Sequence, residues 1–142
     1  MTVEGSVTIE NTLDVQAMAN VCVVTGNVTV AADALTTFSL PVLESVGGSV
    51  DIQFNAALTT FSIPVLASAG SVSIRSNDAL TSISFPVLES VTGFVFIQEN
   101  FALTSISLPV LASVAGNVLI GDNAALTTCT GALIEDEGDC VQ

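Results

Sequence analysis

Apolar and polar positions along this chain repeat with a period of 22 or 23 residues. Two consecutive copies, GSVSIRSNDALTSISFPVLESVT and GFVFIQENFALTSISLPVLASVA, share most of their positions. Self-similarity at such a period is typical of proteins built from stacked coils. The recurring residues are the leucines Leu35, Leu58, Leu80, Leu103 and Leu126, the prolines Pro41, Pro64, Pro86 and Pro109, and the glycines Gly26, Gly48, Gly70, Gly93 and Gly116.

Each copy begins with a strict alternation of apolar and polar residues. In one copy Val72 and Ile74 alternate with Ser71, Ser73 and Arg75. This period of two predicts a strand with one buried face. The glycine before it favours either a turn conformation or a close approach between backbones. The other copies place Val28 and Val30, Val50 and Ile52, Val95 and Ile97, and Val118 and Ile120 in the same buried column.

After this strand the apolar residues are spaced about three apart, which indicates a chain that turns around a core. A proline then recurs once per copy, and its missing backbone donor excludes a central position in a sheet ladder there. The sequence therefore predicts a loose, extended corner at each proline.

An asparagine recurs three residues before the repeated leucine. We expect an inward turn in which the side-chain amides bond the backbone of their own and of adjacent coils. A track that binds a polar ligand or a metal is the alternative. The column is Asn55, Asn77, Asn100 and Asn123, with Asp33 near the equivalent place in a shorter coil.

The first copy differs from the others. Asn11-Thr12 precedes Leu13 to Ala19, and this pattern predicts a capped short helix in place of the proline corner. The prediction is one all-β solenoid domain, 1-142, with five to six coils and a short N-terminal helix. It comprises an atypical coil at 1-25, regular repeats at 26-130 and an acidic tail or cap at 131-142.

The pattern G-x-V-x-I-x-x-N-x-x-L-T-S-I-x-x-P-x-L-x-S-V resembles the leucine-rich-repeat-like L domains of insulin- and EGF-type receptors. It is more similar still to repeats of fungal wall-anchored proteins and of algal and bacterial surface proteins. The resemblance implies a right-handed, single-chain β-helix, located extracellularly or at the cell surface, that serves recognition or wall structure. In that family a cysteine upstream of the first strand pairs with the one matching Cys22, and this chain lacks the upstream cysteine.

Charge narrows the classes of partner. The chain has 14 acidic residues against one basic residue, Arg75, with no histidine and a net charge of −13. Such a charge repels phosphate backbones and anionic lipids, so we expect no nucleic-acid partner. Membrane insertion is not expected either, because no apolar run reaches the length that a spanning helix needs. The start, Met1 to Glu4, does not resemble a signal peptide, which leaves a cytosolic protein and a mature fragment both open.

The sequence offers little catalytic chemistry. Histidine and lysine, the usual general base and Schiff-base amine, are absent, and no catalytic, phosphate-binding or zinc-binding motif occurs. Glu44 and Glu89 lie on alternate coils, about 10 Å apart at the usual strand spacing, but nothing nearby is suited to hold a sugar. The acids Glu135 to Asp139 are interpreted as a solvated tail rather than a calcium site. We therefore expect no enzyme, cofactor or resident metal.

A grid of hydroxyl side chains is expected to face outward on either side of an inward column formed by Phe38, Phe61, Ile83, Ile106 and Cys129. Regular threonine grids on flat solenoids are suited to ordering water, so ice binding is the alternative function. The grid comprises Thr36, Thr37, Ser39, Thr59, Thr60, Ser62, Thr81, Ser82, Ser84, Thr104, Ser105, Ser107, Thr127, Thr128 and Thr130.

A second surface feature is apolar. Strand alternation places Phe94 and Phe96 outward, with Leu119 one coil away, on a face that is otherwise polar. Such a cluster predicts contact with a protein or a wall polymer, and burial under the C-terminal tail is the alternative. Self-association through this face is possible, although the net charge opposes it at low salt.

The cysteines and one sequon complete the set of candidates. Cys129 lies in the inward column and Cys140 follows past an acidic turn, so we predict that they form a disulfide that fixes the tail over the last coil. Cys22 is then the free thiol. Asn27-Val28-Thr29 is the only N-glycosylation sequon, and Asn27 should face outward, where a secreting eukaryotic host would glycosylate it.

Overall fold

The computed structural model describes residues 1–140, which wind into six stacked coils. Every strand pair in this range is parallel, and each strand bonds its counterpart one coil away. The all-β solenoid with a single short helix, α1 (Thr12–Ala17), is confirmed. None of the helices in this range is long and apolar enough to cross a membrane.

The strands form three faces of the solenoid. Faces A and B belong to one ten-stranded sheet, because β6 (Ser45–Gln53) and β8 (Ser68–Arg75) each run through both faces. The sheet bends between the two faces at the glycines. Face C is split into a two-stranded sheet, β5-β7, and a three-stranded sheet, β9-β12-β15. Face A comprises β1 (Thr2–Val3), β3 (Val23–Val24), the first part of β6 (Ser45–Gln53), the first part of β8 (Ser68–Arg75), β10 (Ser90–Val91) and β13 (Ser113–Val114). Face B comprises β2 (Val7–Ile9), β4 (Val28–Val30), the rest of β6 and β8, β11 (Val95–Gln98) and β14 (Val118–Gly121). Face C comprises β5 (Thr37–Ser39), β7 (Thr60–Ser62), β9 (Ser82–Ser84), β12 (Ser105–Ser107) and β15 (Thr128–Thr130).

The core lies along the solenoid axis and is built from columns of identical or similar side chains. On face B the register pairs Val72 with Val95 and Val95 with Val118, so the alternation in the sequence places one apolar column inside. The repeated leucines Leu58, Leu80 and Leu103 are fully buried. Each such side chain contributes roughly 1.5–3 kcal/mol to stability through its removal from water.

The boundary glycines serve close approach between coils. Gly70 is not among the left-handed residues, but a β-carbon on it would lie 2.6 Å from the carbonyl oxygen of Gly48. Of the two roles that the sequence left open, the structure shows this one: adjacent coils come too close at this bend for a side chain.

The asparagine column forms a buried hydrogen-bonded ladder. The Nδ2–H of Asn100 donates to the carbonyl of Ile74 at 3.0 Å and to Oδ1 of Asn123 at 3.2 Å. Oδ1 of Asn100 accepts from the backbone N–H of Asn77 at 3.2 Å. The polar groups at this turn are therefore paired inside the protein, which confirms the structural interpretation of the column. The residue before each asparagine has a φ between 56° and 59°: Phe54, Ser76, Glu99 and Asp122.

The expectation for Asp33 was wrong. Asp33 is exposed, and Ala32 occupies the ladder position in its coil, where its backbone N–H donates to Oδ1 of Asn55 at 2.8 Å. A coil at the end of the ladder needs only a donor, because Asn11 of the preceding coil is exposed and caps α1 instead of joining the ladder. A small buried alanine meets that need without a polar side chain.

Both ends of the solenoid carry a cap. At the N-terminal end, Asn11 accepts from the backbone N–H of Asp14 at 3.1 Å and so begins α1 as predicted. At the other end, the disulfide between Cys129 and Cys140 is present and confirms the predicted pair. The tail also buries Ile134 completely and contains a 3₁₀ turn at Gly138–Cys140. Residues 141 and 142 of the expected tail lie outside the described residues.

Candidate interaction surface

The outward apolar cluster lies on face B near the C-terminal end. Phe96, on β11, pairs with Leu119 on β14, and Leu119 is 44% exposed. The rings of Phe94 and Phe96 are half-buried and tilted by 31°, with their centroids 4.2 Å apart. The structure therefore brings together the three residues that the sequence selected, and we call them the apolar patch.

The two phenylalanine rings cover polar residues of the preceding coil. Ser71 and Ser73 are only 8% and 4% exposed, although alternation points them outward. Ser73 pairs with Phe96, and Oγ of Ser71 accepts from the backbone N–H of Phe94 at 3.2 Å. The large phenylalanine side chains lie beside the small serine side chains of the preceding coil, which explains why the serines are buried. The rings thus bury part of their own surface, and Leu119 is the residue of the patch with the largest exposed fraction.

A groove of about 690 Å³ runs from the patch to the end of the solenoid, and we call it the end groove. Leu133 and Glu137 of the tail form one of its sides. Within residues 1–140 the tail therefore borders the patch and leaves Leu119 exposed, so this part of the tail does not bury the patch, which the sequence offered as an alternative. The end groove is lined by Phe96, Ala112, Ser113, Val114, Gly116, Asn117, Val118, Leu119, Leu133 and Glu137.

The floor of the end groove is the last edge of the main sheet. Within residues 1–140, β13 pairs only with β10, and β14 pairs only with β11. Val114 and Val118 are half-buried, whereas Val91 and Val95, their counterparts in the preceding coil, are 2% and 0% exposed. The apolar columns that are buried in the preceding coil are therefore partly exposed to solvent at this edge.

A polar row lies beside the patch on the same face. Nε2–H of Gln53 donates to Oγ of Ser73 at 3.2 Å, and Nη2–H of Arg75 donates to Oε1 of Gln53 at 3.4 Å. Burial raises the pKa of the Asp51 carboxyl above its usual 3.8, while the hydrogen bond from Gln53 and the charge of Arg75 lower it by less. The Nε of Arg75 is buried without a hydrogen-bond partner in the described part of the chain. The row is therefore close to neutral in a strongly acidic protein.

The hydroxyl grid lies on face C and at its margin, and all of its members are exposed or half-buried. The outermost column forms a ladder of its own: the hydroxyl of each threonine donates to the backbone carbonyl of the threonine one coil before, at 3.1–3.2 Å. These bonds fix the threonine rotamers but use their donors. The four donors are Thr59, Thr81, Thr104 and Thr127.

The remaining candidates lie apart from one another. Asn27 is exposed as expected, and its Oδ1 accepts from the backbone N–H of Ser49 at 2.8 Å. Cys22 is a free, half-buried thiol, as predicted, and its Sγ lies 3.7 Å from the amino group of Met1. Glu44 and Glu89 are exposed. Across residues 1–140, no group of three or more potential metal ligands comes together.

Two features escaped the sequence analysis. Oδ2 of Asp139 accepts from the backbone N–H of Asn123 at 2.6 Å and so replaces the next asparagine of the ladder. The ladder's regular spacing could not locate this aspartate, because the tail does not follow the repeat. The second feature is an apolar stripe along the proline corner, for which the recurring Pro-Val pair was an available signal. The exposed residues of the stripe are Val42, Val65, Val87 and Val110.

Comparisons with protein-family models, with curated proteins and with solved structures give no match to this chain.

Proposed function

We propose that this protein is a non-catalytic recognition module of the cell surface or extracellular space. It binds a protein or a wall polymer through face B, at the apolar patch and the end groove. The observation that carries the proposal is the position of Phe94, Phe96 and Leu119 on outward columns that hold small or polar residues in the earlier coils. Each large apolar side chain that stays in water forgoes roughly 1.5–3 kcal/mol of transfer free energy. A binding partner that covers the patch would recover this free energy.

Two observations support the location. The disulfide between Cys129 and Cys140 favours an oxidising compartment, because reducing compartments keep thiols free. The repeat pattern also resembles the receptor L domains and wall-protein repeats described above, which are extracellular. Kinship with those leucine-rich-repeat-like proteins is part of the proposal, and function within such a fold has to be argued from the site.

The patch can be tested with the double substitution Phe94→Ser and Phe96→Ser, which restores the residues that Ser71 and Ser73 present one coil earlier. The probes are a peptide array and a panel of insoluble polysaccharides: cellulose, chitin and β-glucan. We expect wild-type protein to bind a probe, the double variant to bind at least tenfold less, and the midpoint of urea unfolding to stay unchanged.

Phe54→Ser is the matched control. Phe54 is 67% exposed on the asparagine corner, and serine occurs naturally at the same place one coil on, at Ser76. This variant should bind the probe as wild type does. A large loss of stability in the double variant with unchanged binding would show that the patch only supports the fold.

Ice binding is the second candidate, favoured by the regular rows of exposed hydroxyls on face C. The split of that face into two sheets and the use of the outer threonine hydroxyls as internal donors both make the grid less suited to ordering water. Thermal hysteresis of the purified protein is the direct measurement. Values no greater than those of an unrelated protein at equal concentration would eliminate this candidate.

A further inference from the structure

The last sheet edge presents backbone groups in a known bonding pattern. In the coil before it, the carbonyls of Glu89, Val91 and Gly93 accept from the next coil at 2.7–3.0 Å. The backbone N–H of Val95 donates to the next coil, to the carbonyl of Asn117, at 2.9 Å. The parallel register therefore gives the last coil at least three outward acceptors and one outward donor. They include the carbonyls of Ala112, Val114 and Gly116 and the N–H of Val118.

The end groove lies directly over these groups. Val114 and Val118 reach it from the core side, and Leu119 with Phe96 reaches it from face B. Within residues 1–140 the tail covers only the far part of this edge: Gly138 lies against the carbonyl oxygen of Ile120, beyond these outward groups. A sheet edge with unpaired backbone groups beside apolar side chains is the arrangement that binds an added strand.

We propose that this edge binds an extended, basic peptide segment of a partner protein as an additional parallel strand. Parallel pairing would continue the arrangement of the strand pairs within residues 1–140, all of which are parallel. Alternate apolar side chains of the peptide would continue the column of Val114 and Val118, and the others would point to solvent. This inference rests on the proposed recognition function and names its partner class.

Charge selects a basic peptide over other occupants. The chain carries a net charge of −13, and among residues 1–140 the ionisable side chain that lines the end groove is that of Glu137. Glu135 and Asp136, on the same tail, are exposed. A field of this sign concentrates cationic segments and speeds their association. It repels a second copy of the same chain, which makes head-to-tail stacking of coils unfavourable.

The test uses fluorescence anisotropy with labelled peptides of about six residues, the usual strand length. One peptide alternates valine with lysine, a second alternates valine with glutamate, and a third is the lysine peptide with N-methyl groups at alternate residues. We expect the lysine peptide to bind at low salt and to weaken as salt is raised. N-methylation on the bonding side should weaken binding at least tenfold, because it removes the strand's donors without altering the protein.

Val118→Pro is the matching protein variant. It removes the outward donor, and proline is tolerated on edge strands. Val118→Ile keeps the donor and serves as its control. We expect the proline variant to lose peptide binding at least tenfold, with an unchanged circular dichroism spectrum. Equal binding of all three peptides, or no effect of N-methylation, would overturn the strand-addition inference.

The outcomes separate this inference from the proposed function. If binding of a probe is lost in the Phe94→Ser, Phe96→Ser double variant but is unaffected by Val118→Pro and by N-methylation, the added strand is refuted and the recognition surface stands. Absence of binding to every probe would count against both. Sedimentation velocity of the protein alone tests the other occupant: concentration-dependent oligomers that Val118→Pro abolishes would replace the peptide with a second copy.

Discussion

Single residues in this solenoid act mainly through the buried polar groups that they satisfy. The asparagine ladder is the clearest case, because each amide bonds backbone groups of the preceding coil. Asp139 ends the ladder with an acceptor, and Ala32 begins it with a donor alone. The hydrogen-bonded ladder is thus complete at both ends. A substitution at one of its residues would leave buried hydrogen-bonding groups without partners.

Asn100→Ala should lower the free energy of unfolding by about 2–6 kcal/mol. It leaves the backbone N–H of Asn77 and the carbonyl of Ile74 buried without their partners, and each unsatisfied group costs about 1–3 kcal/mol. Urea unfolding measures the change. Asn117→Ala, at an exposed asparagine, is the control and should stay within about 0.5 kcal/mol of wild type. Similar effects of the two substitutions would contradict a structural ladder.

Asp51→Asn should stabilise the protein at neutral pH. Burial raises the pKa of Asp51 above 3.8, so the folded state holds this proton to higher pH than the unfolded state does. The penalty is absent below the unfolded pKa, grows as pH rises toward the raised folded pKa and is complete above it. We expect a gain at pH 7 of at most about 1 kcal/mol, since the carboxyl remains partly solvated.

The measurement is the free energy of unfolding from acid to neutral pH for both proteins, and the gain should disappear at acid pH. Asp33→Asn controls for the loss of one negative charge at an exposed site. A gain from Asp33→Asn as large as that from Asp51→Asn would assign the effect to net charge rather than to burial.

At the scale of elements, the repeat made the regular coils predictable, while the ends depended on contacts that do not repeat. The columns of Val72 and of Asn77 followed from period and alternation alone, as did the outward position of Phe96. The split of face C was not predicted, although it falls between β7 and β9, where the sequence changes from Thr-Phe-Ser to Ser-Ile-Ser. The end groove was not predictable either, since it depends on where Leu133 and Glu137 settle after the repeat ends.

The tail is an element held by several local contacts. Ile134 is buried against the core, and Gly138 has a φ of +45° and lies against the carbonyl of Ile120, where a β-carbon would collide. The disulfide closes a separation of 11 residues between Cys129 and Cys140. These contacts place Asp139 at the end of the ladder, so the cap and the ladder depend on each other.

Cys140→Ser should therefore destabilise the protein by about 2–3 kcal/mol, the chain-entropy value for so short a loop. Urea unfolding under non-reducing conditions measures this loss. Cys22→Ser is the control and should change stability little, because Cys22 is a free thiol. Thiol titration of unfolded wild-type protein should find one reactive group before reduction, and three reactive groups would show that the disulfide does not form.

At the scale of the whole molecule, charge opposes folding and association alike. The chain has 14 acidic residues and one basic residue. Folding therefore brings negative charges closer together with little attraction from positive charges to offset the repulsion. Coil stacking also aligns equivalent residues at about 4.8 Å, the spacing of strands in a sheet. The apolar core and the hydrogen-bonded ladders must outweigh this repulsion, and the balance should depend on ionic strength.

Raising sodium chloride from low to near-molar concentration should increase the free energy of unfolding and should also increase the extent of self-association. Screening acts within a Debye length, which falls from about 30 Å at 0.01 M to about 3 Å at 1 M, and so weakens the repulsion among carboxylates on neighbouring coils. Little attraction is lost in exchange, because Arg75 is the only basic side chain. Chloride is the proper anion, since sulfate also strengthens apolar burial. Urea midpoints and sedimentation velocity across one salt series measure both effects. A midpoint that falls with salt would mean that the Arg75 interactions stabilise the fold more than the acidic residues destabilise it.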